Sequence, residues 1–368
     1  MTTFDRRKFL TVSGVTAATA VTAGVGGCAL TKHTPATTAS GKATAPAATS
    51  TAAPTSTALP VAAYKPPPLA TSLNIPGISP FYTPNADFYR VDTALVVPQV
   101  PASTWQLKIH GMVDHPMTIT YDQLMKLPMI EQDITLTCVS EAVGGGYVGN
   151  ARWQGTLLAD VLRKVGIQSG ADQIVMRDVK GMTIGVATEP VMDGRKSLLA
   201  VGMNGQPLPA EHGYPVRVVV PGLYGYVSAT KWVVDMEFTT FNAFNAYWVK
   251  QGWSQQAVIK TESRIDVPKA RSSVAAGQVT IAGVAWAQHR GIEAVEVYID
   301  GTWYPAKLSA QDNIDTWRQW YYVWDASGGQ HTITVRATDK TGHTQTSVVH
   351  GPPPNGATGY HTIEVSVT

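Results

Sequence analysis

Cys138 is one of only two cysteines in this chain of 368 residues, and its surroundings favour chemistry. It follows an alternating apolar run through Ile134 and Leu136, which predicts a strand, and the glycine run 144–146 comes shortly after it. A thiol at the end of a strand, beside flexible backbone, is placed to be a metal ligand or a nucleophile. A buried structural cysteine is the competing interpretation, because free cysteine is among the most buried residue types.

A second group of polar residues surrounds a predicted buried strand, 218–220. His212 and Arg217 precede this strand, and Gly222 and Lys231 follow it. A strand with cations at one end and a glycine-rich turn at the other is a rigid frame for a polar pocket. Taken singly, each residue is typical of a structural hydrogen bond or a solvated charge, so the argument depends on their joint occurrence.

Two long stretches, TLTCVSEAVGGGYVGNARW and MNGQPLPAEHGYPVRVVVPGLYGYVSATKW, resemble the molybdenum-cofactor domain of the sulfite oxidase family, above all its exported bacterial members. The resemblance covers residues 72 to the end. It implies an α+β fold class, with a sulfite-oxidase-type molybdopterin-binding domain followed by an immunoglobulin-like β-sandwich. It also implies Mo-molybdopterin as cofactor, in its bare form, and gives the Cys138 thiolate to molybdenum.

Other roles follow only from the resemblance. Arg90 matches an arginine that approaches the cofactor and the oxyanion substrate, and a guanidinium suits sulfate-like and phosphate-like oxygens. Arg290, in the loop AWAQHRG, matches an arginine that reaches back to the site, although this loop is one residue shorter and lacks the family's glycines. The implied catalytic residues are Cys138, Arg90 and Arg290. The implied cofactor-binding residues are Arg90, Asp178, His212, Arg217, Gly222, Thr230 and Lys231.

One departure concerns the substrate. Sulfite-oxidising members carry a tyrosine beside the metal shortly after a Tyr/His-Trp pair, and here Trp253 stands after Tyr247-Trp248. An indole cannot hydrogen-bond a metal-oxo group as a phenol does. We therefore expect a small oxyanion, a sulfoxide or an N-oxide, without restricting the substrate to sulfite.

The sequence has no Cys-x-x-Cys-His haem motif and no cluster of cysteines for iron–sulfur ligation. Electrons would therefore pass to or from a separate carrier, a cytochrome or a quinone-linked protein. Two alternatives stay open. One is a non-enzymatic surface lipoprotein with the same fold and an empty pocket, acting as a binding module. The other is a thiol enzyme with Cys138 as nucleophile.

The N-terminus predicts export. Arg6 and Arg7 precede the uncharged run 9–27, which resembles a twin-arginine signal peptide, 1–27, ending in a lipobox-like sequence before Cys28. Lipidation of Cys28 would anchor the protein to the outer face of the cytoplasmic membrane, and an uncleaved anchor is the alternative. The Ala/Thr/Pro-rich segment 28–71 predicts a disordered tether.

Local patterns divide the rest into an oxidoreductase domain, 72–262, and a sandwich, 263–368. Thr120 with Gln123 predicts a capped helix over 121–127, and a stripe of apolar residues predicts a helix from Thr156 to Gly166. The family's sandwich mediates dimers, whereas exported relatives of this build can be monomers. Monomer and homodimer therefore both stay open. The predicted strands of the first domain are 105–111, 118–120, 173–176, 182–187 and 218–220. Those of the sandwich are 279–281, 294–299, 303–308, 317–324, 331–337, 344–349 and 362–367.

Composition excludes some classes of function. The net charge is only +2 and no basic block is interleaved with aromatic residues, which argues against binding to nucleic acid. The two cysteines stand in unrelated places, so no structural disulfide is expected. Ten Trp and fourteen Tyr favour a well-packed protein.

Overall fold

The computed structural model describes residues 72–92, 94 and 96–368. The predicted signal peptide, Cys28 and the tether lie outside the described residues. Within the part that is described, no helix is long and apolar enough to cross a membrane.

The strands of the first domain form two five-stranded sheets within the described residues. One sheet has the order β2-β1-β10-β5-β6, and the other has the order β3-β4-β7-β8, with β9 paired to β7. The strands are β1 Gln106–Gly111, β2 Met117–Thr120, β3 Ile130–Thr137, β4 Val148–Leu157, β5 Gln173–Asp178, β6 Thr183–Ala187, β7 Leu198–Met203, β8 Gln206–Pro207, β9 Arg217–Val219 and β10 Val233–Thr239.

The α-helices of the first domain are short, of four or five residues each. They are α1 Tyr121–Leu124, α2 Leu158–Leu162, α3 Thr188–Met192, α4 Gly225–Ser228 and α5 Tyr247–Lys250. The predicted capping box is confirmed, because the Thr120 side chain accepts from the Gln123 backbone and Gln123 reaches back to the cap.

The predicted start of the second helix is wrong. Thr156 belongs to β4, where it pairs with Leu199 of β7, and the helix begins at Leu158 without a side-chain cap. Pairing with β7 therefore extends β4 over the first two residues of the predicted helix. The stop is confirmed, since Gly166 adopts a left-handed conformation, φ 63°, after the 3₁₀ turn Arg163–Val165.

The second domain is a sandwich of two antiparallel-rich sheets, with the orders β11-β13-β17-β16 and β12-β19-β18-β14-β15. The predicted immunoglobulin-like architecture is confirmed, including the turn at Asp300-Gly301 between β14 and β15. The strands are β11 Glu262–Val267, β12 Ser273–Val274, β13 Gly277–Trp286, β14 Ile292–Ile299, β15 Thr302–Pro305, β16 Lys307–Leu308, β17 Arg318–Ala326, β18 Gly329–Asp339 and β19 His361–Val367.

Two details of the sandwich differ from the sequence prediction. The stretch 344–349 forms only an isolated bridge, Thr344 to Thr338, and Val348 and Val349 are 65% and 84% exposed. No strand of the described residues pairs with these two valines. The segment Glu262–Val267 pairs with β13 and is the first strand of the sandwich. The predicted boundary after residue 262 falls at the first residue of this strand.

The sandwich has an apolar core of its own, and a second apolar cluster extends from the first domain across the junction. Trp286 and Trp317 of the sandwich pack in the same buried cluster as Leu223 and Tyr224 of the first domain. All four residues are buried, so this part of the junction between the domains is closely packed.

Candidate active site

Cys138 lies directly after β3, in a turn that its own backbone closes. Its amide donates to the Tyr147 carbonyl at 2.9 Å, and its carbonyl accepts from the Glu141 amide at 3.0 Å. Cys138 is 8% exposed, and its sulfur accepts a weak hydrogen bond, 3.5 Å from the Ser140 amide. Burial raises the pKa of the Cys138 thiol. A thiolate here therefore needs a cation beside it, which is the condition that a bound metal satisfies.

Arg217, the first residue of β9, is a buried cation without an acidic partner among the described residues. Its guanidinium donates to the carbonyls of His212 at 3.2 Å and Ala229 at 3.5 Å, and it lies 4.9 Å from the Trp153 ring centre. The Nε atom is buried and makes no hydrogen bond. Burial lowers the pKa of Arg217 to about 10. Such a group is unusual unless an anion completes its surroundings.

His212 and Lys231 lie beside Arg217. The His212 Nε2 atom is 3.0 Å from the Asn85 carbonyl, and burial, followed by the charge of Arg217, lowers the pKa of His212 to about 4. Burial also lowers the pKa of Lys231 to about 8. The Lys231 ammonium donates to the Asp92 carboxylate and to the Glu211 carbonyl at 3.0 Å.

Arg90 lies at the exposed side of this group. Its guanidinium is 2.8 Å from the Asp92 carboxylate, and its side chain is 43% exposed. Asp92 therefore joins Arg90 to Lys231, and it is the carboxylate that pairs with both. Arg90, Arg217 and Lys231 together carry more positive charge than Asp92 offsets.

Tyr89 was not predicted from the sequence, and it connects the cysteine to the cations. A Cβ placed on Gly225 would lie 3.9 Å from both the Tyr89 hydroxyl and the Thr137 carbonyl oxygen. Burial raises the pKa of Tyr89, the charge of Cys138 raises it further, and Arg217 acts in the opposite direction. Its hydroxyl has no hydrogen-bond partner among the described residues. The only sequence signal was its place beside Arg90, on an arm without periodicity.

Two predicted residues lie elsewhere, at a cavity of about 720 Å³ between the domains. Gly222 approaches the sandwich closely, because a Cβ there would lie 3.0 Å from the His289 Cβ and 3.2 Å from an Arg195 nitrogen. The Arg290 guanidinium bonds Asp339 at 2.9 Å and the Ile259 carbonyl at 2.9 Å. Cys138 is not among the residues that line this cavity, so the structure does not bring Arg290 to the cysteine.

Asp178 and Thr230 also have structural surroundings. The Asp178 carboxylate accepts from the amides of Lys180 at 2.7 Å and Met182 at 3.0 Å, and thereby fixes the turn between β5 and β6. The Thr230 hydroxyl is buried and lies 3.6 Å from the Met176 sulfur. Neither contact reaches Cys138 or Arg217.

Two buried carboxyl groups near the cysteine were also missed. Burial raises the pKa of Glu141 to about 7 and that of Glu262 to about 8, and the repulsion between them adds to the shift of Glu262. The Oε1 atom of each is buried without a hydrogen-bond partner in the described structure.

Trp253, at the position of the family's tyrosine, packs against Tyr226, with 5.8 Å between the two ring centres.

These residues fit a phosphate-bearing cofactor that brings most of its own metal ligands. No cluster of three His, Cys, Asp or Glu that could hold a metal occurs within the described ranges, so Cys138 would be a lone protein ligand. Buried Arg217, with Lys231 and His212 beside it, has donors to spare for an anion.

Comparisons with known proteins support the two domains. The profile of the family described as oxidoreductase molybdopterin binding domain matches residues 94–248, and the bacterial Ig domain profile matches residues 262–335. Mitochondrial sulfite oxidase of Homo sapiens is 30% identical over 321 residues, which cover 74% of this chain and 57% of that protein. The chain thus spans little more than half of that relative.

Two further similarities complete the comparison. The uncharacterized oxidoreductase YuiH of Bacillus subtilis is 33% identical over 149 residues, which cover 40% of this chain and 72% of that protein. The crystal structure of the sulfane dehydrogenase SoxCD from Paracoccus pantotrophus has a TM-score of 0.66 at 22% identity, over 77% of this chain and 80% of that chain. This last similarity shows the fold.

Proposed function

We propose a function from the premise that this chain belongs to the sulfite oxidase family of molybdopterin-binding oxidoreductases and carries a C-terminal Ig-like domain. The protein catalyses a two-electron oxygen-atom transfer on a small oxyanion, a sulfoxide or an N-oxide. A separate carrier, a cytochrome or a quinone-linked protein, takes up or supplies the electrons. In the oxidising direction water gives the oxygen atom, and two protons and two electrons leave.

The observation that carries this proposal is the buried guanidinium of Arg217, which has no acidic partner among the described residues. A buried guanidinium does not stabilise a fold that binds no anion, because a desolvated charge costs free energy until it is paired. A phosphate-bearing cofactor supplies the missing anion. Lys231 and His212 lie beside Arg217, where they can also contact that anion.

The residues of the chain divide the work. When bound, the molybdenum cofactor supplies a metal centre that accepts and gives up an oxygen atom with two electrons. The Cys138 sulfur holds the metal, while Arg217, His212 and Lys231 hold the anionic part of the pterin. Arg90, the more exposed cation, offers its guanidinium to an anionic substrate. The Tyr89 hydroxyl, which has no other partner in the described part of the chain, donates a hydrogen bond in the space beside Cys138.

Export and anchoring belong to the same proposal. The protein crosses the membrane through the twin-arginine route, and a lipid on Cys28 holds it at the outer face. The sequence Asp5–Leu10 and the residues before Cys28 support this. A cofactor that must be inserted before export also suits a route that carries folded proteins.

The thiol-enzyme alternative is weaker. A nucleophilic cysteine needs a lowered pKa, and here burial raises the pKa of Cys138. Its sulfur has the Ser140 amide as its partner and no histidine among the described residues.

Elemental mass spectrometry of protein purified from its own export pathway tests the proposal. We expect about one molybdenum atom per chain, lost in Cys138→Ser while the chain still folds. Cys28→Ala is the matched control: it should keep the metal and leave the membrane fraction. Folded, exported protein without molybdenum would contradict the enzyme and favour the empty-pocket lipoprotein. Membrane retention of Cys28→Ala would contradict the lipid anchor.

A further inference from the structure

The strand that carries Cys138 is an edge strand of its sheet, yet its outer edge is buried. β3 is the first strand in the order β3-β4-β7-β8, so β4 pairs with only one side of it. Thr135 and Thr137 are nevertheless 0% exposed. An unpaired edge needs other hydrogen-bond partners when water is excluded.

The sandwich provides these partners. The Thr135 amide donates to the Asp315 carbonyl at 2.9 Å, and the Asn313 side chain donates to the Asp133 carbonyl at 3.1 Å. The Thr135 hydroxyl accepts from the Trp317 amide at 2.7 Å. One loop of the second domain thus completes the edge of the cysteine strand.

Gln288 makes the contact nearest to the cysteine. Its side-chain Nε2 donates to the Thr135 carbonyl at 3.1 Å and to the Thr137 hydroxyl at 3.0 Å, which uses both of its protons. Gln288 is 0% exposed, and its Oε1 atom is buried without a partner in the described residues. An orphaned buried acceptor costs stability, so the contact is not explained by stability alone.

The turn after the cysteine is held from the same domain. The Arg264 guanidinium donates to the Gly145 carbonyl at 2.7 Å, and a Cβ at Gly144 would overlap the His361 imidazole. Sandwich residues therefore fix the backbone both before and after Cys138.

We propose that Gln288 is a positioning residue, which fixes through Thr137 the direction in which Cys138 presents its sulfur. Thr137 directly precedes Cys138, and a β-branched residue tied at its hydroxyl has little freedom about χ1. Metal ligation requires a sulfur held within a few tenths of an ångström, on the order of 0.5 Å. The inference rests on the proposed function in one respect, namely that Cys138 is the metal ligand.

The test measures the accessibility of the thiol in cofactor-free protein. In a Cys28→Ala background Cys138 is the single thiol, and its alkylation by N-ethylmaleimide reports how well the turn is held. Gln288→Leu should alkylate about tenfold faster, because local opening becomes easier. Gln319→Leu is the matched control: Gln319 is equally buried in the sandwich, but it bonds Ser72, Leu73 and Ser79 of the N-terminal arm. Equal alkylation rates in the two variants would overturn the proposal.

A double-mutant cycle tests the route through Thr137. Thr137→Val removes the same hydrogen bond from the other side and should accelerate alkylation as Gln288→Leu does, whereas Thr137→Ser should keep the wild-type rate. The effects of Gln288→Leu and Thr137→Val should not add in the double variant. Fully additive effects would overturn the proposal. If Gln288→Leu does not fold, a wild-type rate in Thr137→Val alone overturns it.

The same experiments separate this inference from the proposed function. Faster alkylation of Gln288→Leu in a protein that never carries molybdenum supports the positioning role and contradicts the molybdenum enzyme. An unchanged rate in a protein that does carry molybdenum contradicts the positioning role alone.

Discussion

Replacing Arg217 by methionine tests whether this buried cation exists for a ligand or for the fold. Lowering its pKa from the ordinary value of an arginine to about 10 corresponds to a penalty of about 3 kcal/mol for keeping the guanidinium charged, at about 1.4 kcal/mol per pKa unit. The contact with the Trp153 ring recovers about 1 kcal/mol, and the hydrogen bonds to two carbonyls recover about 2 kcal/mol. Arg217→Met should therefore change the free energy of unfolding of the cofactor-free chain by about 1 kcal/mol or less.

Arg152 is the matched control, because it is buried in the same sheet but paired within the chain. Its Nε and Nη2 atoms each lie 2.8 Å from the Asp133 carboxylate, which is 0% exposed. Arg152→Met leaves that buried carboxylate without its cation and with the neutral Tyr82 hydroxyl still donating to it at 2.7 Å. Removing one partner of a buried ion pair costs about 3–5 kcal/mol.

Urea unfolding followed by tryptophan fluorescence gives both free energies, and elemental analysis of protein from the export pathway gives the molybdenum content. We expect Arg217→Met to unfold near the wild-type midpoint and to carry no molybdenum. A loss of stability as large as that of Arg152→Met would show that Arg217 serves the fold. Full molybdenum content in Arg217→Met would equally refute the reasoning.

Two further predictions concern Tyr89 and Glu262. Tyr89→Phe should lower kcat/KM about tenfold, the value of one hydrogen bond, with molybdenum content unchanged. Tyr147→Phe, a change at the neighbouring exposed ring, should have no such effect, and equal losses would contradict a specific role. Glu262 faces Glu141 and Lys260, and burial raises its pKa from 4.5 to about 8. Its contribution to stability is therefore present below about pH 4.5 and lost as the pH rises through about 8. The free energy of unfolding of Glu262→Gln should rise relative to that of the wild type by about 1.4 kcal/mol per pH unit across this range. Free energies of unfolding that change in parallel with pH in the two proteins would contradict the prediction.

Local patterns in the sequence predicted what local interactions determine. The capping box of Thr120 and Gln123 and the left-handed stop at Gly166 depend on a few neighbouring residues, and both are present. The predicted start of a helix at Thr156 was wrong because Thr156 pairs with Leu199, which is distant in the sequence. The predicted strand 344–349 was wrong for a different reason, since only Thr344 and Gln345 bond β18 and no ladder continues after them.

The site divides in the same way. The resemblance named His212, Arg217 and Lys231, and the structure brings them together. Arg217 begins β9, His212 precedes this strand, and Lys231 lies in the segment that follows it. Gln288 was out of reach of sequence reasoning, because the residues that it contacts lie 151 and 153 positions away. Tyr89 was missed because an irregular arm has no period from which the direction of a side chain can be inferred.

The position of Cys138 explains why the second domain belongs to the site. A cysteine at the end of an edge strand has a neighbouring strand on one side only. If the other side had no hydrogen-bond partners, local motion of the strand would also displace the sulfur. Gln288 and the carbonyl of Asp315 close that side before the cysteine, and Arg264 holds the glycine turn after it. The sequence suggests a cofactor domain followed by an accessory sandwich. The hydrogen bonds place the sandwich in the scaffold of the cysteine itself. A substitution in its loops should therefore affect Cys138, the proposed metal ligand, without changing Arg217, His212 or Lys231.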